Sequence, residues 1–259
     1  MTLVVEQPSS HVTTIRLNRP DALNAMNYSL VGELHDALDE VGADDDCRVV
    51  VLAGAGRAFC AGLDLRDFGA PPRVGEHRHR HAGVSGQGFI ANLTQHLHDT
   101  PQVVIAAVNG PAYGGGLALA AACDLRIASD AATFCSAFIR TGLTGTDIGI
   151  TYFLPRLIGA AHAFELILTG RTIDATEARD MGLVARVVSG SVETEALGLA
   201  AQIAQYTSFG LRRTKEVLWH NLEAPSLASA IALENRNQEL AVHDPDVRAY
   251  MEAYGKRFE

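Results

Sequence analysis

Continuous apolar runs rich in β-branched residues mark strands buried on both faces, and this chain has two, residues 48–53, apolar after the first, and Val103–Val108. Shorter runs at 3–6 and Val12–Leu17 predict two further strands, joined by Gln7-Pro8-Ser9-Ser10, with Asn18-Arg19-Pro20 closing the second. A helical period then takes over. From about Tyr28 to Val41 it sets Leu30, Val31, Leu34, Ala37, Leu38 and Val41 on one face and acidic residues on the other. Asp44-Asp45-Asp46 predicts a solvated turn, and a helix over 89–98 leads into the second apolar strand. Beyond it the pattern predicts a short strand at 132–135, helices at 152–158 and 161–169, and a last strand at 183–188. Asp174-Ala175-Thr176-Glu177 has the form of an N-cap with its capping-box partner, which explains Glu177 as structure. From about Val192 to Phe258 the pattern is helical throughout. The fold class is α/β, changing to all-α near the C-terminus without a linker.

The stretch 101–127 organises the rest. Asn109-Gly110-Pro111 breaks the strand at Val103–Val108, Gly114-Gly115-Gly116 follows, and Leu117-Ala118-Leu119-Ala120-Ala121-Ala122 is strongly helix-forming. A helix starting there leaves first-turn N–H groups unpaired, and glycine lets a ligand approach them closely. Such a turn suits an anion, or an oxygen that becomes anionic during a reaction. The competing reading is a core helix whose glycines only permit close packing. No charge lies between Asp99 and Asp124, a span long enough for a membrane, but Asn109, Pro111 and the glycines interrupt it.

A second turn of small residues, Phe59-Cys60-Ala61-Gly62-Leu63-Asp64-Leu65, follows the strand at 48–53, so two sets of backbone N–H groups can surround one pocket. Neither turn is a nucleotide loop. Gly54-Ala55-Gly56 lacks the third glycine of a dinucleotide fingerprint, with Phe59 in its place, and no glycine precedes Lys-Ser or Lys-Thr. A third glycine-punctuated loop, 138–149, carries one isolated carboxylate, Asp147.

At 259 residues, 47% hydrophobic and 20% charged, the chain fits one large domain or two small ones of ordinary soluble type. A net charge of −9 argues against nucleic acid or an anionic membrane as partner. The N-terminus lacks the basic and apolar regions of a secretory signal. Cys47, Cys60, Cys123 and Cys135 have no metal-ligand spacing and read as buried hydrophobes in a reducing, cytoplasmic setting. Residues 69–87 lack an apolar period and read as a solvated lid. There His77, His79 and His81 alternate with Arg78 and Arg80, whose charge would repel a metal cation and could meet ligand phosphates.

In this order the segments resemble the crotonase superfamily, the enoyl-CoA hydratases and isomerases, over nearly the whole chain. The matching segments are Leu17-Asn18-Arg19-Pro20 with Leu23-Asn24-Ala25, residues 58–65, residues 105–110, Gly114-Gly115-Gly116, Cys123-Asp124, Leu157-Ile158-Gly159, Leu168-Thr169-Gly170-Arg171, and Ala178 with Gly182-Leu183-Val184. The resemblance implies a crotonase-like spiral of ββα units over residues 1–190, with a pocket for a CoA thioester. Residues 191–259 would form a C-terminal helical trimerisation region building a homotrimer or a dimer of trimers. No cofactor beyond substrate CoA, no metal and no nucleic-acid or membrane partner is implied.

Carried over residue by residue, the resemblance puts the thioester oxygen between the N–H groups of Leu63 and Gly115. The positions of the two hydratase glutamates hold Ala118 and Phe138, and Asp147 stands where some relatives carry a working aspartate, one extra residue allowed. In an apolar, glycine-lined pocket desolvation would raise its pKa, as a general acid or base requires, although Asp147 could equally cap a helix starting near Ile148. Arg57, Ala61, Asp64, Tyr113, Gly114, Phe138 and Lys256 fall at substrate-binding positions. For Tyr113 the alternative is packing, for Asp64 a tie to its own turn, and for Arg57 and Lys256 plain solvation. The implied function is an acyl-CoA thioester enzyme acting through a stabilised enolate. The alternatives are a non-catalytic acyl-CoA carrier and a purely structural oligomer.

Overall fold

The computed structural model describes residues 1–71, 86–142 and 144–256. The lid sequence with its three histidines therefore lies outside the described residues, apart from its ends. In chain order the elements are β1 (Leu3–Ser9), β2 (Val12–Leu17), α1 (Tyr28–Ala43), β3 (Val49–Gly54), α2 (Gly86–Asp99), β4 (Val103–Val108), β5 (Ala112–Tyr113), α3 (Gly115–Ala122), β6 (Leu125–Ser129) and β7 (Thr133–Cys135). They continue with α4 (Ile150–Thr169), β8 (Thr172–Asp174), α5 (Ala175–Asp180), β9 (Arg186–Val188), α6 (Val192–Ile203), α7 (Ser208–Asn221), α8 (Leu227–Ala241) and α9 (Pro245–Gly255).

The larger sheet runs β1-β2-β3-β4-β6-β9, parallel throughout except for the β1–β2 hairpin. The smaller runs β5-β7-β8, and single parallel bridges Met26–Leu63 and Cys60–Ala112 extend its pattern backwards along the chain. Each turn of the spiral thus lays one strand in the large sheet, makes a second short pairing, and returns through a helix. In this way β4, β5 and α3 form one turn and β6, β7 and α4 the next.

The continuous apolar runs have a direct cause. Val50, Leu52, Val104, Ala106 and Val108 pack on the helices α1 to α4, while Val49, Val51, Ala53, Ile105 and Ala107 pack on α6. With both faces covered, no position in β3 or β4 is left for a polar side chain. The small residues Ala196, Ala200 and Ala204, one helical turn apart, let α6 lie close on the sheet.

Several bounds differ from expectation. The first strand continues through Pro8 to Ser9, tolerable because β1 is an edge strand and its register shifts between Glu6 and Ser9. The helices expected at 152–158 and 161–169 are both present as the two halves of α4, which starts two residues early at Ile150 and breaks at Gly159 (φ 76°, ψ 159°). The last strand shortens to Arg186–Val188, whereas β6 and β8 were not anticipated. Asp174 does cap α5, accepting from Glu177 N–H at 2.9 Å. The Glu177 carboxylate does not complete the capping box, because Arg171 takes it at 2.7 Å.

Candidate active site

The two turns of small residues meet face to face. Cys60 N–H donates to the Pro111 carbonyl at 3.1 Å, and Tyr113 N–H donates to the Cys60 carbonyl at 2.9 Å. Glycine is required where they touch. A Cβ on Gly116 would overlap the Cys60 carbonyl oxygen, and one on Gly62 (φ 97°) would lie 2.8 Å from the Tyr113 oxygen and 3.5 Å from the Gly115 nitrogen.

Met26 makes both bonds of its bridge: its N–H donates to the Gly62 carbonyl at 2.7 Å, and its carbonyl accepts from Asp64 N–H at 2.8 Å. In that pattern the peptide groups of Leu63 itself point the other way, and among the described residues nothing accepts from the Leu63 N–H. Gly114 (φ 50°, ψ −115°) turns the chain into α3 and donates its N–H to the Cys135 carbonyl at 2.9 Å. The next N–H, that of Gly115, begins the helix and likewise has no acceptor among the described residues. Two unpaired donors therefore stand on adjoining turns. All eight residues of α3 are buried, so its N-terminal end opens toward protein rather than bulk water.

The third loop closes on the same place. The Cδ1 of Ile148 comes within 3.2 Å of a Cβ position on Gly115, and the Met26 side chain crowds that position as well. Ile148 is β-branched yet has φ 37°, a conformation that costs on the order of 1–3 kcal/mol and persists where its surroundings impose it. Thr94 on α2 does so in part, donating Oγ1–H to the Ile148 carbonyl at 2.8 Å.

Asp147, next to it, is half-buried, and its Oδ1 accepts from Ile148 N–H at 2.7 Å and from Gln87 Nε2 at 2.7 Å. This is more polar than the apolar setting expected. Asp147 is also not the helix cap: α4 starts at Ile150 behind Gly149 (φ 82°), and only the Asp147 backbone carbonyl meets the helix, accepting Ile150 N–H at 3.0 Å.

Ala118 is fully buried inside α3, and Phe138 lies beside Gly114, its Cε1 3.8 Å from a Cβ position there. Neither can hold water or move a proton. The Tyr113 hydroxyl is engaged with Thr133 Oγ1 at 3.1 Å, in keeping with packing. Ala61 is half-buried and its N–H is taken by the Leu23 carbonyl at 3.0 Å. Arg57 and Lys256 are exposed and lack ion-pair partners among the described residues.

Asp64 ties its turn together. It accepts from the N–H groups of Arg66 and Asp67, both at 3.1 Å, and pairs with the Arg19 guanidinium at 2.8 Å. Burial works against its charge, but the Arg19 hydrogen bond and the two backbone donors outweigh that and hold its pKa below the ordinary 3.8. The stabilisation is therefore complete above about pH 4 and is lost as pH falls through the lowered value. Melting temperatures of the protein and of Asp64→Asn should converge as pH drops from 6 toward 3. A gap that stays constant over that range would show that the carboxylate's charge is not what stabilises the turn.

Arg19, Gln87, Met26 and Ile148 are the residues that sequence reasoning missed. Each lies in a different segment from the group it serves, and although Arg19 sits in the Leu17-Asn18-Arg19-Pro20 motif, nothing in that motif announces its pairing with Asp64. Among the described residues no cluster of His, Cys, Asp and Glu could hold a metal ion, and no helix is long and apolar enough to cross a membrane. A cleft of about 1040 Å³ beneath α7, lined by His98, Tyr152, Trp219 and several charged residues, contains none of the three loops.

Fold and site together define a layered α/β spiral with unpaired backbone donors at the start of its central helix. Residues 7–259 match the family described as enoyl-CoA hydratase/isomerase. The chain is 40% identical over 237 residues to a probable enoyl-CoA hydratase of Mycobacterium tuberculosis, covering 91% of this chain and 83% of that one. It is 35% identical over 255 residues to the 1,2-epoxyphenylacetyl-CoA isomerase of Escherichia coli, covering 98% and 95%. It superposes on the crystal structure of a probable enoyl-CoA hydratase/isomerase from Mycobacterium abscessus with TM-score 0.87 at 35% identity, covering 100% of this chain and 97% of that one. The protein belongs to the enoyl-CoA hydratase/isomerase family of the crotonase superfamily, a family of enzymes.

Proposed function

We propose that this enzyme moves protons along the acyl chain of a CoA thioester and does not add water to it. The observation that carries the reading is the cluster itself. Among the described residues the N–H groups of Leu63 and Gly115 are unpaired on adjoining turns, the side chain of Ile148, next to the carboxylate Asp147, reaches Gly115, and the two positions where the resemblance would put hydratase glutamates hold Ala118 and Phe138. The thioester oxygen would accept from both N–H groups. Asp147 would take a proton from C2, the electron pair passing into the C1–C2 bond and onto the thioester oxygen as an enolate. For a 3-enoyl thioester, return of the same proton to C4 shifts the double bond to C2–C3, with no net gain or loss of atoms. The E. coli relative, an isomerase, supports proton transfer without hydration, whereas the M. tuberculosis relative is named a probable hydratase.

Arg57 and Lys256 would contact CoA phosphates, Lys256 across a subunit boundary, and no cofactor beyond the CoA of the substrate is needed. The proposal includes assembly as a trimer or dimer of trimers in the cytoplasm. Leu218, Leu222, Leu227 and Ile231 on α7 and α8 are exposed apolar residues that further copies would cover, and the cysteines are free thiols.

The test needs no knowledge of the true acyl chain. Calorimetry should show butyryl-CoA binding, and NMR in D2O should show its C2 protons exchanging with enzyme present. Binding without exchange would favour a carrier. Absence of binding would sink the enzyme and carrier readings alike.

A further inference from the structure

Both hydrogen bonds that hold the Asp147 side chain end on one oxygen. Oδ1 takes the Ile148 N–H and the Gln87 Nε2–H, while among the described residues nothing donates to Oδ2. The two donors are not equivalent. The N–H of the next residue travels with Asp147 wherever the loop goes, whereas Gln87 comes from the first turn of α2, 60 residues earlier. Helix α2 grips the same dipeptide a second time through Thr94, which lies on the same face of the helix as Gln87 and bonds the Ile148 carbonyl. The carboxylate is therefore fixed in two places relative to a helix, and its unpaired oxygen is held clear of its anchors.

We infer that Gln87 is a positioning residue for Asp147, which by occupying Oδ1 makes Oδ2 the oxygen that exchanges protons with substrate; this rests on the acid/base reading of Asp147. The arrangement survives the reaction. Once Oδ2 has taken the C2 proton, Oδ1 is a carboxylic-acid carbonyl oxygen and still accepts both N–H groups. No hydrogen bond in the anchor has to break, and the proton on Oδ2 can return to carbon.

Gln87 is exposed, so replacing it should leave the fold intact, with melting temperature as the check. C2 exchange of butyryl-CoA in D2O would be measured for the wild type, Gln87→Leu, Asp147→Ala and the double variant. A hydrogen bond to a charged group predicts that Gln87→Leu lowers the maximal rate by about tenfold or more, with half-saturation nearly unchanged. In the Asp147→Ala background the same change should do nothing further, since Gln87 acts only through that carboxylate. Gln87→Glu, which puts a second carboxylate against the first, should slow exchange at least as much as leucine.

An unchanged maximal rate in Gln87→Leu would overturn the inference, as would an equal loss in both backgrounds or a loss confined to half-saturation. In each of those cases the role of Asp147 would stand. If Asp147→Ala exchanges as fast as wild type, or wild type does not exchange, the acid/base reading falls first and takes the inference with it.

Discussion

Asp147→Ala should slow C2 exchange of a bound acyl-CoA by about 10²–10⁴-fold, the usual contribution of a positioned acid or base. Its dissociation constant for the thioester should barely move. The size of the effect follows from the lack of substitutes among the described residues. Asp64 is committed to Arg19 and to the backbone of its own turn. Glu177 belongs to Arg171. Burial pushes the Cys60 thiol, three residues before Leu63, up to about 12, so it is protonated at neutral pH and no base. Ala118 and Phe138 cannot titrate. Rate and affinity should therefore separate cleanly, because the N–H groups of Leu63 and Gly115 are untouched by the change. An equal loss in both would make Asp147 a binding residue rather than a proton carrier.

The second large effect concerns stability. Lys215→Met should cost about 3–5 kcal/mol in urea unfolding, the range for removing one partner of a buried ion pair. Lys215 is 7% exposed, unusual for lysine, and it donates to the Gln102 carbonyl at 2.9 Å while pairing with Asp124 at 2.9 Å. Asp124 also accepts from Val104 N–H and Trp219 Nε1, both at 2.7 Å. One carboxylate thus joins the start of β4, the turn after α3 and helix α7. Methionine fills much of the lysine's volume, so the loss would report the charge left without its counter-ion more than a cavity. A change below about 1 kcal/mol would mean that the remaining donors satisfy Asp124 unaided. The chain has two lysines: the exposed Lys256 remains a proposed phosphate contact, and the buried Lys215 fastens α7 to the core.

Legibility followed the range of the interactions. The strands at β3 and β4 were readable because a strand covered on both faces must be apolar at every position. The glycine triplet was readable because few other residues could enter so crowded a turn. β6 was missed: its sequence, Leu-Arg-Ile-Ala-Ser, includes an arginine whose burial depends on carbonyls outside the strand, the distant one of Leu183 and the nearby one of Cys123 among them. The capping expectation for Asp147 failed for a related reason. Local sequence offers aspartate its neighbouring N–H groups, and here the side chain took the nearest of them and Gln87 instead of the helix start.

The sequence by itself determined most of the strands and helices in their order, the two glycine turns and the family. Each of these is written in contiguous residues, where period, steric demand and motif are visible. Tertiary structure decided that the Leu63 and Gly115 N–H groups stand on adjoining turns with no acceptor among the described residues, that Arg19 braces Asp64, that Lys215 is buried, and that among the described residues one oxygen of Asp147 is tied and the other left open. Those facts depend on which distant groups the spiral brings within hydrogen-bond reach, and a polar side chain's choice among partners is settled only when burial removes water as the alternative.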